Sequence, residues 1–416
     1  MKSLRLVLTI VISVVLLIPL TAAAKEAKTL KELIDMYDSS SCKQCHADYF
    51  KDWEHSLHSK PLLGPFDKTL GTLKDYLSQR ENELKKSKEV TSSMKEYMMP
   101  CFICHVPQLE DASEEAAQEL AKACMDENFD VLEQLTINCK ICHNRNALPR
   151  KFRDGNPEPD AVYGVKETGS HAAPDFPKRI KSEMMQDPSF CGGCHQGPNL
   201  LHSAEPIWCT SNYDSYQQAY IPNGGDKTCQ ECHMEKTDYN ATGHRFPPNY
   251  DDPELSMKRL KDNISFDMSV LAYTFAIKTP QVQSIPMVVV KTKVENKIGH
   301  RFPDGCPSPA HFALNITVND KNGKNLFNEV RYYMPQKKLG YAENKMVFAS
   351  LRKLSLMRDT SLQPFKDNTE EFEFKLPADV GDVTVTGTLT FVVEPGVEKS
   401  VFKLFEITKN ASLKGE

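Results

Sequence analysis

Ten of the thirteen cysteines fall into five Cys-x-x-Cys-His units: Cys42/Cys45/His46, Cys101/Cys104/His105, Cys139/Cys142/His143, Cys191/Cys194/His195 and Cys229/Cys232/His233. Two thiols at i and i+3 reach both vinyl positions of one porphyrin, and the imidazole of the next residue then lies under the iron. That is the chemistry of covalent c-type haem attachment. A zinc site would want paired Cys-x-x-Cys knuckles with no fixed histidine after each. A disulfide framework would not need the histidine either. The pattern therefore calls for five covalently bound haems, held by those ten cysteines, with His46, His105, His143, His195 and His233 as iron ligands.

Each iron has a sixth position, and seven histidines remain: His55, His58, His171, His202, His244, His300 and His311. His58 follows the first motif in Trp53-Glu54-His55-Ser56-Leu57-His58. His244 and His300 share the context Gly-His-Arg-Phe-Pro, the clearest internal repeat in the chain. Glycine lets the backbone approach a haem face and proline fixes the exit. His171 lies in Gly169-Ser170-His171, 20 residues before the fourth motif. These four are the expected distal ligands. The fifth position goes to His55, His202 or His311, to a methionine such as Met98 or Met99, or stays open. A second imidazole leaves an iron no site for substrate, which favours electron transfer over catalysis. Arg245 and Arg301 either pair with haem propionates or face solvent.

The motifs start 59, 38, 52 and 38 residues apart. About 80 residues per haem cannot wrap each one separately, so the haems must touch. The two 38-residue intervals suggest closer pairs, haems 2–3 and 4–5. Residues 70–99 read as a charged helix. Residues 111–135 read as one or two helices, with Asp111 and Glu114 spaced like a capping box. Ala117, Leu120, Ala121 and Cys124 follow the helical period, which makes Cys124 a buried structural cysteine. Residues 150–180, rich in proline, glycine and charge, read as an irregular haem-wrapping loop. After about residue 264 the period becomes two: Val288, Val290 and Val294; Phe312, Leu314, Ile316 and Val318 before a turn at 319–323; Phe372, Phe374 and Leu376; then Val383, Val385, Leu389 and Phe391. The expected fold class is α+β. A haem-wrapping helix and loop part spans residues 25–263. A C-terminal β-sandwich at 264–416 supplies His300 as a distal ligand. Cys209 and Cys306 pair with each other, or one pairs with Cys124; the sequence does not choose.

Residues 1–24 read as a secretory signal. Lys2 and Arg5 form the basic start, residues 6–20 a mostly apolar run, and Ala22-Ala23-Ala24 a cleavage site. The run is short for a membrane span, which takes about 20 residues. Retained, it would act as a single anchor. The expectation is export to the periplasm or the outer cell surface, with no integral membrane segment after cleavage. Loss of the two basic residues takes the formal charge from −5 to −7. A nucleic-acid binder would show a basic excess instead. The apolar fraction of 40% is low for a globular chain. Porphyrins would supply the missing apolar surface.

These residues resemble a family: the multihaem c-type cytochromes that include the tetrahaem cytochrome of ammonia oxidation, octahaem tetrathionate reductase and hydroxylamine oxidoreductase. The likeness is carried by Cys42 to His58 with Tyr49, Trp53 and Ser56 between them. It continues in Ser189-Phe190-Cys191-Gly192-Gly193-Cys194-His195 with His171 before it, and in Tyr213 through Cys229-Gln230-Glu231-Cys232-His233-Met234. It ends in Val294-Glu295-Asn296 leading to His300 and Pro303. It covers most of residues 40–60 and 165–400. This chain departs from the family in having five motifs and no Cys-x-x-Cys-Lys, so the lysine-ligated haem of pentahaem nitrite reductase is not supported. The resemblance implies an electron carrier of anaerobic respiration more than a catalyst, and no catalytic residue is assigned. Its partners would be redox proteins, quinol-linked or other multihaem cytochromes. Two alternatives remain. One is an oxidoreductase of a small nitrogen or sulfur oxyanion at one five-coordinate haem. The other is a subunit of an extracellular cytochrome filament.

Overall fold

A computed structural model describes residues 26–86, 92–147, 157–199, 207–238, 242–250, 253–277, 283–304, 310–339, 346–347 and 353–413. The signal segment expected at 1–24 lies outside them. Amphipathic helices build the first third of the chain: α1 Leu30–Tyr37, α2 Ala47–Glu54, α3 Lys68–Lys86, α4 Met94–His105 and α5 Glu114–Met125. Their apolar stripes meet in one cluster that includes Leu33, Leu62, Leu73, Met98, Phe102, Leu109, Leu120 and Cys124. The helix read over 70–99 is two helices. Ser93 starts the second with a reciprocal capping box to Glu96, and such a cap satisfies orphan N–H groups at a new N-terminus. The cap of α5 is Ser113 rather than Asp111: its hydroxyl accepts from the Ala116 N–H. Glu114 turns away and accepts from the N–H groups of Met94 and Lys95, tying α5 to the start of α4.

Three short helices follow, α6 Pro188–His195, α7 Cys229–His233 and α8 Pro253–Asn263. The stretch read as an irregular loop holds a small sheet instead: β1 Ala161–Gly164, β2 Gly169–Ala173 and β3 Phe176–Lys181, in the order β1-β3-β2. β2 and β3 bury no residue and β1 buries only Ala161 and Tyr163, so little alternation of apolar and polar residues marked them. A further hairpin pairs β4 Gln196–Asn199 with β5 Ile207–Ser211.

From Ile264 onward the chain is strand: β6 Ile264–Ile277, β7 Gln283–Asn296, β8 His311–Asp320, β9 Asn325–Tyr333, β10 Pro335–Leu339, β11 Met346–Val347, β12 Lys353–Asp359, β13 Asp367–Lys375, β14 Asp382–Val392 and β15 Val401–Ser412. The main sheets run β13-β7-β6 and β15-β14-β8-β9, and a small one runs β11-β10-β12. The alternating residues picked out in the sequence, Val288 to Val294 on β7, Phe312 to Val318 on β8, Phe372 and Phe374 on β13 and Val383 to Phe391 on β14, are buried together in one cluster fed by both main sheets. The fold is thus mixed α+β. Among the described residues no helix is long and apolar enough to cross a membrane.

The aromatic centre of that cluster also holds the His300 loop. Phe302, two residues past His300, packs against Phe312 and Phe391 with ring centres 5.6 and 5.1 Å apart. Phe312→Ala removes a fully buried ring. It is expected to cost about 3–5 kcal/mol, read as a shift in denaturant midpoint.

Candidate haem-ligand constellation

Helical or tight-turn backbone carries every motif. In a helix, residues i, i+3 and i+4 share a face, so both thiols and the imidazole of one unit point the same way. The second motif forms the last turns of α4, the fourth lies inside α6 and the fifth spans α7. The Asp187 carboxylate starts α6 by accepting from the Ser189 N–H at 2.8 Å. Thr228 and Glu231 form a capping box on α7. The third motif runs into a single wide turn, Ile141–Arg145. The first bridges a short helix, Ser40–Lys43, and α2.

Four of the five motif imidazoles face a second imidazole from far away in the chain. Ring centres lie 6.2 Å apart for His46 and His171, 6.3 Å for His58 and His195, 6.3 Å for His143 and His244, and 6.2 Å for His233 and His300. Two metal–imidazole bonds of about 2 Å each, with each ring centre about 1.1 Å behind its nitrogen, need about 6.2 Å across one ion. The gap fits an iron held from both sides. The planes are near parallel in three pairs, at 4°, 22° and 16°, and crossed at 77° for His58 and His195.

The rings are also oriented as ligands require. Nδ1 of His105 bonds the Pro61 carbonyl, His143 that of Tyr163, His171 that of Phe176 and His300 that of Arg301, at 2.7, 2.7, 2.8 and 2.9 Å. His233 and His244 do the same with Pro247 and Thr242. A carbonyl on Nδ1 fixes the tautomer and leaves the Nε2 lone pair for a metal. Burial favours the neutral rings of His105, His143, His233, His244 and His300. It pushes His58 down to about 3, with His195 and His233 adding repulsion. His233 and His244 fall to about 4, mainly from burial.

The cysteine positions show which motifs adjoin. The Cys42 thiol contacts that of Cys139, and Cys191 contacts Cys229. Cys104 lies 3.7 Å from the Cys194 carbonyl oxygen. The neighbours are therefore motifs 1 and 3, 4 and 5, and 2 and 4. The 4–5 pair agrees with the interval argument. Motif 3 lies against motif 1 rather than motif 2, because the fold and not chain distance sets adjacency.

The remaining histidine and methionine candidates fall elsewhere. His55 caps α2 and bonds the Lys51 carbonyl at 2.7 Å. His311 sits on β8 with its ring edge-on to Tyr332. Met98 is buried in the helical cluster and Met99 packs against it. His202 lies outside the described residues. Among those residues no second imidazole faces His105. Cys124 is a free, buried thiol whose pKa burial raises to about 12. Cys306 and the side chain of Cys209 lie outside the described residues. Arg245 and Arg301 find protein carboxylates: Arg245 bonds Asp52 at 3.1 Å, and Arg301 pairs with Asp304 at 2.7 Å and with Asp359.

Two supporting carboxylates gave no signal in the sequence. Asp52, fully buried on α2, accepts from the His244 N–H at 3.2 Å as well as from Arg245. Asp304 accepts from the Ser211 N–H at 2.7 Å and links the His300 segment to β5. Gly192 inside the fourth motif is needed for close approach, since a Cβ there would sit 2.8 Å from the Tyr213 ring. Asp52→Ala leaves the His244 N–H without its carboxylate. The expected loss of stability is about 2–3 kcal/mol, read from the denaturant midpoint.

A penta-haem cytochrome c552 from Thermochromatium tepidum superposes with a TM-score of 0.54 at 18% identity, covering 91% of this chain and 99% of that one. The two chains share one overall fold. A CARDB domain from Pyrococcus furiosus, 15% identical over 36% of this chain and 93% of its own, has a TM-score of 0.16 and carries no argument. No family model and no curated protein matches the sequence.

Proposed function

We propose that this chain is an exported pentahaem c-type cytochrome that carries electrons in anaerobic respiration, in the periplasm or at the outer cell surface. The observation that carries the reading is the set of four imidazole pairs 6.2 to 6.3 Å apart, each joining one motif histidine to one distant histidine. Bound haem supplies one-electron oxidation and reduction at the iron. The chain's own residues do the rest. Cys42, Cys45, Cys101, Cys104, Cys139, Cys142, Cys191, Cys194, Cys229 and Cys232 hold the groups. His171, His58, His244 and His300 would serve as the second iron ligands, partnered with His46, His195, His143 and His233. The adjacency of motifs 1 and 3, 2 and 4, and 4 and 5 would bring neighbouring groups close together, which a relay needs. The two sheets act as a β-sandwich that presents His300 and offers a surface to redox partners.

The test is twofold. The intact mass of the secreted protein should exceed that of the 25–416 polypeptide by five haems, and a smaller excess refutes the motif assignment. The reduced protein should pass electrons to a partner cytochrome without turning over nitrite, hydroxylamine or tetrathionate. Turnover of any of these would favour the oxyanion reading. One observation speaks for that second reading: among the described residues His105 faces no second imidazole, so the second haem is where a substrate position would be.

A further inference from the structure

The repeated Gly-His-Arg-Phe-Pro places its two phenylalanines differently. Phe302 of the second copy packs against the core of the sheets, on Phe312 and Phe391. Phe246 of the first copy stays among the ligands. Its ring meets that of His58 edge to face at 4.8 Å and 75°, and that of His244 at 5.6 Å and 75°. It does so with a φ of +45°, in the left-handed region, which Phe302 does not enter. A bulky residue is rarely found there, and such strain persists where the surroundings over-determine it. The neighbours do fix this segment. Asp52 accepts from the His244 N–H at 3.2 Å and from Arg245 at 3.1 Å, and the Pro247 carbonyl bonds Nδ1 of His233.

The fourth imidazole pair is the one that lacks another support. In the first, third and fifth pairs the distal ring, His171, His244 or His300, has its Nδ1 on a backbone carbonyl, and the planes lie within 22° of parallel. Among the described residues no carbonyl takes Nδ1 of His58 or His195, and that pair is crossed at 77°. Rotation of an imidazole about a metal–nitrogen bond is soft, so the groups around a ring set its plane. Among the described residues the ring that packs on His58, besides His195, is Phe246.

We propose that Phe246 is a positioning residue that holds the His58 imidazole crossed to His195 and so sets the ligand field of the fourth haem iron. The inference rests on the proposed ligation of that iron by His58 and His195. Edge-to-face packing is a preferred aromatic geometry, and here it ties the angle of His58 to a ring whose own backbone is fixed. The repeat thereby serves three sites at once: His244 faces His143, Phe246 orients His58, and the Pro247 carbonyl orients His233. The fourth motif borders both the second and the fifth, so electrons passing between those two would cross the iron that Phe246 tunes.

The test is electron paramagnetic resonance of the haem-loaded ferric protein. Wild type should show one large-g low-spin signal. Phe246→Ala should replace it with a rhombic low-spin signal, leave the other low-spin irons unmoved and add no high-spin iron, because His58 remains a ligand. Phe246→Tyr should keep the large-g signal. Phe246→Gly removes the ring with no left-handed penalty and should match Phe246→Ala, which keeps the test decisive if the alanine variant loads haem poorly. A large-g signal unchanged in both ring-less variants would overturn the proposal. So would a new high-spin iron, or loss of haem in both, since Phe246 would then support ligation and not orientation. A wild type with five haems and low-spin irons but no large-g signal would overturn this proposal alone and leave the electron-carrier reading standing; high-spin irons in place of the low-spin set would overturn both.

Discussion

His300→Ala is expected to turn one of the five irons from low-spin to high-spin and to leave the other four unchanged. His300 reaches the fifth motif from the loop after β7, its Nδ1 held by the Arg301 carbonyl and its ring 6.2 Å from that of His233. Truncation to the methyl of alanine removes the imidazole that faces His233 and leaves the carbonyl clamp idle. The loop itself stays anchored. The Asn296 amide donates to the carbonyls of His300 and Leu362, and Arg301 keeps its two aspartates. The spin change should therefore come without unfolding, and added imidazole should reverse it. An unchanged electronic spectrum removes His300 from the ligand set. The same substitution at His171, His58 or His244 should act on a different iron in each case.

Production without a cytochrome c maturation system should give a chain whose middle does not fold. The physical reason is the distribution of buried apolar side chains. The first helices share a core of their own, and so do the two main sheets. Between residues 157 and 250, the described residues contribute only Ala161, Tyr163 and Tyr220 to the buried apolar set. That stretch carries His171, the fourth and fifth motifs and His244. It cannot bury enough apolar surface to offset the entropy of ordering, and the haems must supply the remainder. Limited proteolysis should cut the haem-free chain inside 157–250 and spare the mature protein. Equal resistance in both forms would show that the haems are not part of the core.

Much of this was legible in the sequence because the chemistry is local. Cys-x-x-Cys-His fits within one helical turn, so ten thiols and five imidazoles could be assigned before any fold was known. The alternating runs of β7, β8, β13 and β14 were legible for a similar reason, since each buries one side in a single apolar cluster. The four histidines proposed as distal ligands stood out by context: the repeated Gly-His-Arg-Phe-Pro, and the positions of His58 and His171 beside motifs. Which motif each one faces was not legible, because His58 crosses to His195 and His171 returns to His46 through contacts more than a hundred residues apart. The sheet carrying His171 escaped notice because β2 and β3 bury no residue and β1 is only four residues long. The roles of Arg245 and Arg301 were also hidden. A buried aspartate on a distant helix and two acids beyond the His300 loop claim them, and no pattern in the chain announces such pairs.

The arrangement of imidazole planes gives the account its sharpest test. Parallel planes split the two iron dπ orbitals and give rhombic low-spin signals, whereas crossed planes leave those orbitals nearly degenerate and give a single large-g feature. The angles of 4°, 22° and 16° set against 77° predict the spectrum of the oxidised protein. Electron paramagnetic resonance of the resting ferric form should show three rhombic low-spin irons and one large-g low-spin iron, the latter lost in His58→Ala. The fifth iron, the one behind His105, is left to report its own sixth ligand. Two or more high-spin irons in the wild type would contradict the claim that four bis-imidazole sites are built into this chain.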